Sequence, residues 1–448
     1  MSLLSRLEDL ARQDPRRAAL RAVATGGDET RLTYGELLAR IERRAGELQA
    51  LALPFLALDG ARPIDFLVDF FAARALERPV LSHPPQLPPA LRTLREEAVR
   101  AVRLETLHDA AAIFYSSGSV GPAKAVPLSD ASLEAAATAF ADWGDVRAGD
   151  RLAVGLSPAQ ILGFVRGALN ALSVGAEAIF YRPLRDPLAE AERLGADAAL
   201  LPSALVPLCA RHAAPVRLRA LRCGGGSVAE ADASAVESVR GVPVRTGYGL
   251  TETCGLGSRQ RGDRPRRPGT SGAVAPGMEV AIVREDGQAC GAGELGEIRL
   301  RGPAVFGGYL APEDPDPFDA AGRLRSGDAG FLDESGELCV RGRLAFALRS
   351  GDRILCAEEV EAAFAEHPGV AEAAAAPWDL SFGVLLVVRD ESERLLEEIR
   401  EHARQRLPVF ARPKKMLPVS AIPRTPSGKV DRRAATEWLS RTPSGAPR

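Results

Sequence analysis

Short apolar runs alternate along this chain with segments in which apolar residues recur every three to four positions, the pattern of strands followed by surface helices. From residue 31, LTYGELLARIERRAGELQAL begins as a short strand, passes Gly35 and continues as an amphipathic helix with leucines at helical spacing. PFLALDG then reads as a buried strand ending in a turn. The succession returns as RLAVGLSP before ILGFVRGALNAL, AEAIFYRPL before PLAEAERLG, and DAALLPS before ALVPLCARHA. Such a rhythm predicts an α/β fold, with parallel sheets covered by helices.

The pattern changes after residue 255. QRGDRPRRPG is a polar connector without helical periodicity, and MEVAIVRED, GEIRLRGPAV and GELCVRG then carry alternating apolar residues between Gly-containing turns. These predict a small antiparallel or barrel-like β-subdomain over about 256–341. A last region from Gly342 holds a helix at AEEVEAAFAEH, a strand at VLLVVRD and a helix at SERLLEEIREHARQRL, the content of a small α+β domain. The expected division is therefore a large N-terminal domain, 1–341, and a C-terminal domain, 342–448, with the closing TEWLSRTPSGAPR frayed.

Composition narrows the partners. At 448 residues the chain is long enough for two or three domains with a substantial core. Its 57 Lys and Arg against 59 Asp and Glu leave a net charge of −2, which argues against nucleic acid as the main partner. The first residues, MSLLSRLEDLARQDPRR, mix charges within an amphipathic helix and lack the apolar core of a signal peptide, and no uncharged apolar run is long enough to span a membrane. A cytoplasmic location is the expectation. Six scattered cysteines form no CxxC pair and five histidines show no ligand spacing, so buried free thiols are expected rather than a zinc site or disulfide framework.

The stretch AAIFYSSGSVGPAKAV, residues 111–126, carries the first chemical signal. Gly118 and Gly121 let backbone N–H groups approach an anion, Ser116, Ser117 and Ser119 add hydroxyls, and Lys124 adds a positive charge. It is not a Walker A loop, which needs two glycines separated by four residues, followed by Lys and Ser/Thr opening a helix. Alone, it fits a surface loop as well as an anion cradle. TGYGLTET adds an aromatic, Tyr248, able to stack on a base, and Thr251 and Glu252, able to meet a phosphate and a hard cation. Ser326-Gly327-Asp328 sets a carboxylate at a turn, where it can accept ribose hydroxyls, and Lys429 follows Gly428 in a Pro-rich loop as a mobile cation. Each of these alone has an ordinary structural explanation.

In order and approximate spacing, the serine-rich loop with Lys124, TGYGLTET, SGD followed by Gly342-Arg343, and PxTxxGK at 423–429 resemble the core motifs of the adenylate-forming superfamily over about residues 30 to 435. The resemblance implies activation of a carboxylic acid by ATP to an acyl-adenylate and pyrophosphate, then transfer to the thiol of coenzyme A or of a phosphopantetheine. It implies that Ser116, Ser117, Gly118, Ser119, Gly121 and Lys124 enclose the β- and γ-phosphates, and that Gly224, Gly225 and Gly226 lie against adenine and the acyl group. Tyr248, with Gly249 beside it, would stack on adenine, Thr251 would contact the α-phosphate, and Glu252 would bind Mg²⁺. Asp328 and Arg343 would grip the ribose. Lys429 would bridge the reacting carboxylate and the α-phosphate until the C-terminal domain rotates about a hinge at Arg343 to Gly351.

The sequence departs from that pattern at several points. Val120, Ala123 and Ala125 replace residues usual in the phosphate loop, which predicts weaker phosphate affinity, and Ala345 and Leu348 replace polar hinge residues. Gln160 stands where many acyl-CoA synthetases have a histidine gating the acyl pocket. With Gly163, Phe164, Gly224, Gly225, Tyr248 and Cys254 it would form a small, mostly apolar wall suited to an aryl or fatty acid, and SPAQILGFV offers no aspartate for an amino-acid ammonium. No carrier sequence follows residue 435, so the acceptor would be free coenzyme A or a separate acyl carrier protein. A homologue that binds without turnover is the alternative motivated by Val120, Ala345 and Leu348, and a kinase-type enzyme is disfavoured by the missing Walker A loop.

Overall fold

The computed structural model describes residues 2–51, 53–102, 107, 109–116, 123–143, 146–350, 353–379, 381–424 and 430–441. The first helix, Leu3–Gln13, buries Leu7 and Ala11, and the helix Tyr34–Gln49 starts on a capping box in which Thr33 and Glu36 satisfy each other's backbone N–H groups. Between them, Ala18–Val23 and Glu29–Thr33 form an antiparallel pair at the edge of a seven-stranded sheet. Its remaining strands, Glu177–Phe180, Arg151–Val154, Ala198–Pro202, Leu221–Gly224 and Val244–Arg245, run parallel to Ala18–Val23 in that spatial order. The α/β expectation holds because these strands are largely buried on both faces and the parallel connections return through helices.

A second sheet is built from the parallel strands Leu56–Asp59, Val80–His83 and Ala112–Tyr115, closed by the antiparallel Ala125–Leu128. The helix Pro63–Ala75 packs between the two sheets. It buries Phe66, Phe70 and Phe71, each contributing about 2–3 kcal/mol of transfer free energy. PFLALDG was expected as a buried strand; it is an edge strand in which Leu58 is buried and Leu56 only half-buried, since one side has no neighbouring strand.

The β-rich region is an antiparallel sheet of Glu279–Val283, Gly296–Arg301, Leu324–Leu332 and Leu338–Arg343. The connector before it is fastened by ion pairs, Arg266 to Glu230 and Glu237 and Arg267 to Asp333, which compensate for its lack of apolar periodicity. Beyond a short hairpin, Leu348–Ser350 with Arg353–Leu355, the C-terminal domain packs the helices Ala357–Ala365, Glu393–Arg406 and Arg432–Arg441 on a sheet of Val370–Trp378, Ser381–Val388 and Lys415–Pro418. TEWLSR was expected to fray but belongs to the last helix, because Ala435 and Leu439 are fully buried against the sheet. The protein is thus mixed α/β, with a large N-terminal part and a smaller α+β C-terminal part. Among the described residues no helix is long and apolar enough to cross a membrane.

Candidate functional site

Parallel strands converge at their carboxyl ends, and the loops leaving those ends carry most of the candidate residues, as open α/β sheets arrange their ligands. Ala112–Tyr115 leads to Ser116, Arg151–Val154 to the loop holding Gln160, Leu221–Gly224 to the glycine run, and Val244–Arg245 to Tyr248.

The serine-rich loop is pinched at its neck. Ser116 N–H donates to the Lys124 carbonyl at 2.9 Å, and Lys124 N–H donates to Ser116 Oγ at 3.0 Å. Ser116 Oγ is thus an acceptor toward its own loop. Ser117, Gly118, Ser119, Val120 and Gly121 lie outside the described residues. Ala123 and Ala125 sit on the returning limb, where Ala125 is buried and starts the antiparallel strand.

Lys124 projects over the face of Tyr309, its Nζ 4.3 Å from the ring centroid. Tyr309 donates through its hydroxyl to Glu252 Oε1 at 3.0 Å. Burial, and after it the neighbouring Glu252 carboxylate, push the Tyr309 phenol up, so it remains a protonated donor throughout the ordinary pH range. Glu252 lies in the short 3-10 turn Thr251–Thr253, which also brings Thr251 to the same side of the fold. A carboxylate whose one described side-chain bond comes from a hydroxyl keeps oxygen lone pairs for a hard divalent cation, so this donor set fits magnesium.

A second group is tightly closed on itself. Tyr248 donates to Asp328 Oδ2 at 2.6 Å, Arg343 Nε meets Asp328 Oδ1 at 2.8 Å, and Arg343 Nη1 donates to the Ser326 carbonyl at 3.0 Å. Burial, then Asp328, hold the Tyr248 phenol far above its usual range. The turn expected at Ser326-Gly327-Asp328 is corrected here: the triplet is inside the strand Leu324–Leu332. Gly327 has φ +68 and the pairing register with Gly296–Arg301 shifts across this point, so a bulge re-aims Asp328 within a continuous ladder.

The remaining candidates divide between loop and core. Ser203 Oγ donates to the carbonyls of Gly224 and Gly226 at 3.1 and 2.8 Å, fixing the glycine run, and Gly225 takes φ +82 with open space where a side chain would be. Gln160 is exposed at the loop mouth. Gly163 is buried, and a Cβ there would lie 2.3 Å from the Ser157 carbonyl oxygen. Gly249 likewise has a packing reason, since a Cβ would lie 2.2 Å from the Gly255 carbonyl oxygen. Two of the expected wall residues lie in the core. Phe164 is fully buried with Phe66, Phe70 and Phe114 around its ring, and Cys254, 1% exposed, packs in the same core with its thiol pushed up to about 12 by burial.

Sequence reasoning missed Tyr309, Ser203 and Leu162, whose side chain occupies the space beside Gly224. Only the sequence Gly307-Gly308-Tyr309, an aromatic after a glycine pair, gave any signal. Lys429 lies outside the described residues, but its flanks are anchored: Arg424 pairs with Val430, and Arg432 binds Glu358 at 2.8 Å and also Glu361. Of the proposed hinge, Arg343 is bound as above, Ala345 is exposed, and the side chain of Leu348 is not among those described.

Carboxyl-end loops, two neighbouring groups of polar side chains and a following α+β part define the class of protein, a mixed α/β chain with its candidate residues at the ends of parallel strands. The family model of AMP-binding enzymes matches residues 65–310, and that of the AMP-binding enzyme C-terminal domain matches 359–429. The chain belongs to this family, the adenylate-forming superfamily. A probable CoA ligase from Humulus lupulus is 30% identical, the match covering 72% of this chain and 63% of the relative. A salicyl-AMP ligase / salicyl-S-ArCP synthetase from Mycobacterium tuberculosis is 31% identical over 73% of this chain and 61% of its own. The matched part thus spans less than two thirds of either relative. The o-succinylbenzoate CoA synthetase of Bacillus subtilis, in complex with its acyl-adenylate intermediate, superposes with a TM-score of 0.85 at 22% identity, covering 100% of this chain and 99% of that one.

Proposed function

We propose that this protein activates a small carboxylic acid, of the aryl or fatty class, with ATP, forming an acyl-adenylate and releasing pyrophosphate. The acyl group then passes to the thiol of coenzyme A or of a carrier-bound phosphopantetheine. The observation that carries this reading is that one segment, 248–252, contributes both to a Tyr248–Asp328–Arg343 group suited to a nucleoside and to a Lys124–Tyr309–Glu252 group suited to charged phosphates.

In this reading the acid's carboxylate oxygen attacks the α-phosphorus, the acyl–phosphate bond forms, and the bond to the pyrophosphate oxygen breaks. Lys124 and the loop over 116–124 hold the departing β- and γ-phosphates. Tyr248 lies along the base, Asp328 accepts the ribose hydroxyls, and Arg343 keeps the Asp328 carboxylate oriented. Thr251 donates to the α-phosphate. Glu252 would hold magnesium, which when bound supplies positive charge to the phosphate oxygens. Lys429 neutralises the two anions that must meet at the α-phosphorus. For thioester formation the region 342–448 turns about Arg343 to Gly351 relative to 1–341, the thiol attacks the acyl carbonyl, and AMP leaves.

The relatives named above are a CoA ligase and a salicyl-AMP ligase acting with a carrier protein, which supports an aryl or similar acid and leaves both thiols as candidates. The retained Lys124, Glu252, Asp328, Arg343 and Lys429 favour turnover over a binding-only homologue, since structural packing needs no such set. The test is carboxylate-dependent exchange of labelled pyrophosphate into ATP, run over a panel of aryl, fatty and amino acids. Mass spectrometry with coenzyme A and with a phosphopantetheinylated carrier then follows. Exchange with an aryl or fatty acid is expected; release of inorganic phosphate instead of pyrophosphate would refute the reading.

A further inference from the structure

Lys124 and Glu252 have opposite charges, come from segments far apart in sequence, and flank one side chain. Among the described residues they form no ion pair with each other; each instead meets Tyr309, the lysine at the ring face and the glutamate at the hydroxyl. The segment bearing Tyr309 is tied to both. Phe306 N–H donates to the Glu252 carbonyl at 2.8 Å and Leu310 N–H to the Ala125 carbonyl at 3.1 Å. The Phe306 ring meets the Tyr309 ring edge-on at 5.0 Å, which limits rotation of the phenol.

We infer that Tyr309 is a positioning residue that keeps Lys124 and Glu252 apart and aimed, the first at phosphate oxygens and the second at a divalent cation. The physical reason is competition. An ammonium and a carboxylate left to meet in a half-buried cleft would pair, and a nucleotide would have to break that pair to bind. A ring face attracts the lysine through its quadrupole without consuming all of its N–H donors. A hydroxyl satisfies one carboxylate oxygen without neutralising its charge, as partners outside the ligand set commonly do for metal-binding carboxylates.

This inference rests on the adenylation reading, and two variants separate their fates. Tyr309→Phe keeps the ring and removes the hydroxyl; Tyr309→Leu removes both. Mn²⁺ binding is followed by electron paramagnetic resonance in the presence of α,β-methylene-ATP, and binding of that nucleotide alone is measured calorimetrically in EDTA. Tyr309→Phe should weaken Mn²⁺ affinity by about tenfold or more while metal-free nucleotide affinity stays near that of the wild type. Tyr309→Leu should in addition weaken metal-free nucleotide binding roughly threefold, the loss expected for one cation–π contact. Wild-type Mn²⁺ affinity in Tyr309→Phe overturns the inference, as does an equal loss of metal and metal-free nucleotide affinity, which would signal packing alone. A wild-type protein that binds no nucleotide overturns the adenylation reading itself and this inference with it.

Discussion

The two polar groups of the cleft are built on opposite principles. Around Asp328 the protein supplies its own partners: a phenol and a guanidinium hold the carboxylate at 2.6 and 2.8 Å, and the residue's own N–H donates to Ser326 Oγ at 3.0 Å. Among the described residues, the Glu252 carboxylate meets one hydroxyl, and Lys124 meets an aromatic face rather than a carboxylate. The difference matches what each is proposed to meet. Ribose hydroxyls are neutral and weakly directing, so their site needs a rigid acceptor; triphosphate and cation bring their own charge, so their site needs open valences.

If both groups are binding devices, the largest loss of chemistry should follow removal of a cation belonging to neither. Lys429→Ala should lower acyl-adenylate formation by about 10²–10³-fold or more, with ATP binding and thermal stability close to wild type. Pyrophosphate exchange at the wild-type rate would show that the two groups suffice. Asp328→Ala strikes the closed group: it strands Tyr248 and Arg343 and should cost about 3 kcal/mol in denaturant unfolding as well as ATP affinity. A variant with wild-type stability would mean that the group is no more self-supporting than its neighbour.

Asp319 supplies an intermediate case, a closed carboxylate away from the cleft. Burial opposes its charge, yet the Arg323 backbone amide and then the Arg299 guanidinium outweigh that and hold it at about 2. A folded value below the unfolded one of about 3.9 means that its stabilisation is complete above about pH 4 and disappears as pH falls toward 2. Asp319→Asn should therefore cost about 2 kcal/mol at pH 7, a deficit that shrinks in melts at pH 3. A deficit independent of pH would assign the effect to packing.

The smallest stability change is expected for Glu252→Gln, below about 1 kcal/mol, because one hydroxyl contact is altered. Its metal requirement for pyrophosphate exchange should nevertheless rise. A large stability loss with an unchanged magnesium titration would reverse the contrast between the two groups.

Legibility in the sequence followed the range of the interaction. The helix Tyr34–Gln49 was readable because its cap, Thr33 and Glu36, and its apolar spacing are local. Ser326-Gly327-Asp328 misled because glycine before aspartate is a turn signal, and only pairing with Gly296–Arg301 and Leu338–Arg343 turns it into a bulged strand. The surroundings of Phe164 were illegible for another reason: nothing local in the sequence announces an aromatic packed against Phe66 and Phe70.

By itself, the sequence determined the alternation that makes a parallel α/β fold, the antiparallel region after it, and the kinds of side chain available for phosphate, ribose and cation. Periodicity and residue chemistry are local properties, written in neighbouring positions. Tertiary structure alone decided which of those side chains meet. Lys124, Glu252 and Tyr309 are brought together from three separate segments, and Tyr248, from the same segment as Glu252, meets Asp328 and Arg343 from two more, by sheet register and loop packing. Tyr309 gained its place only there, because a contact between distant segments has no period to announce it.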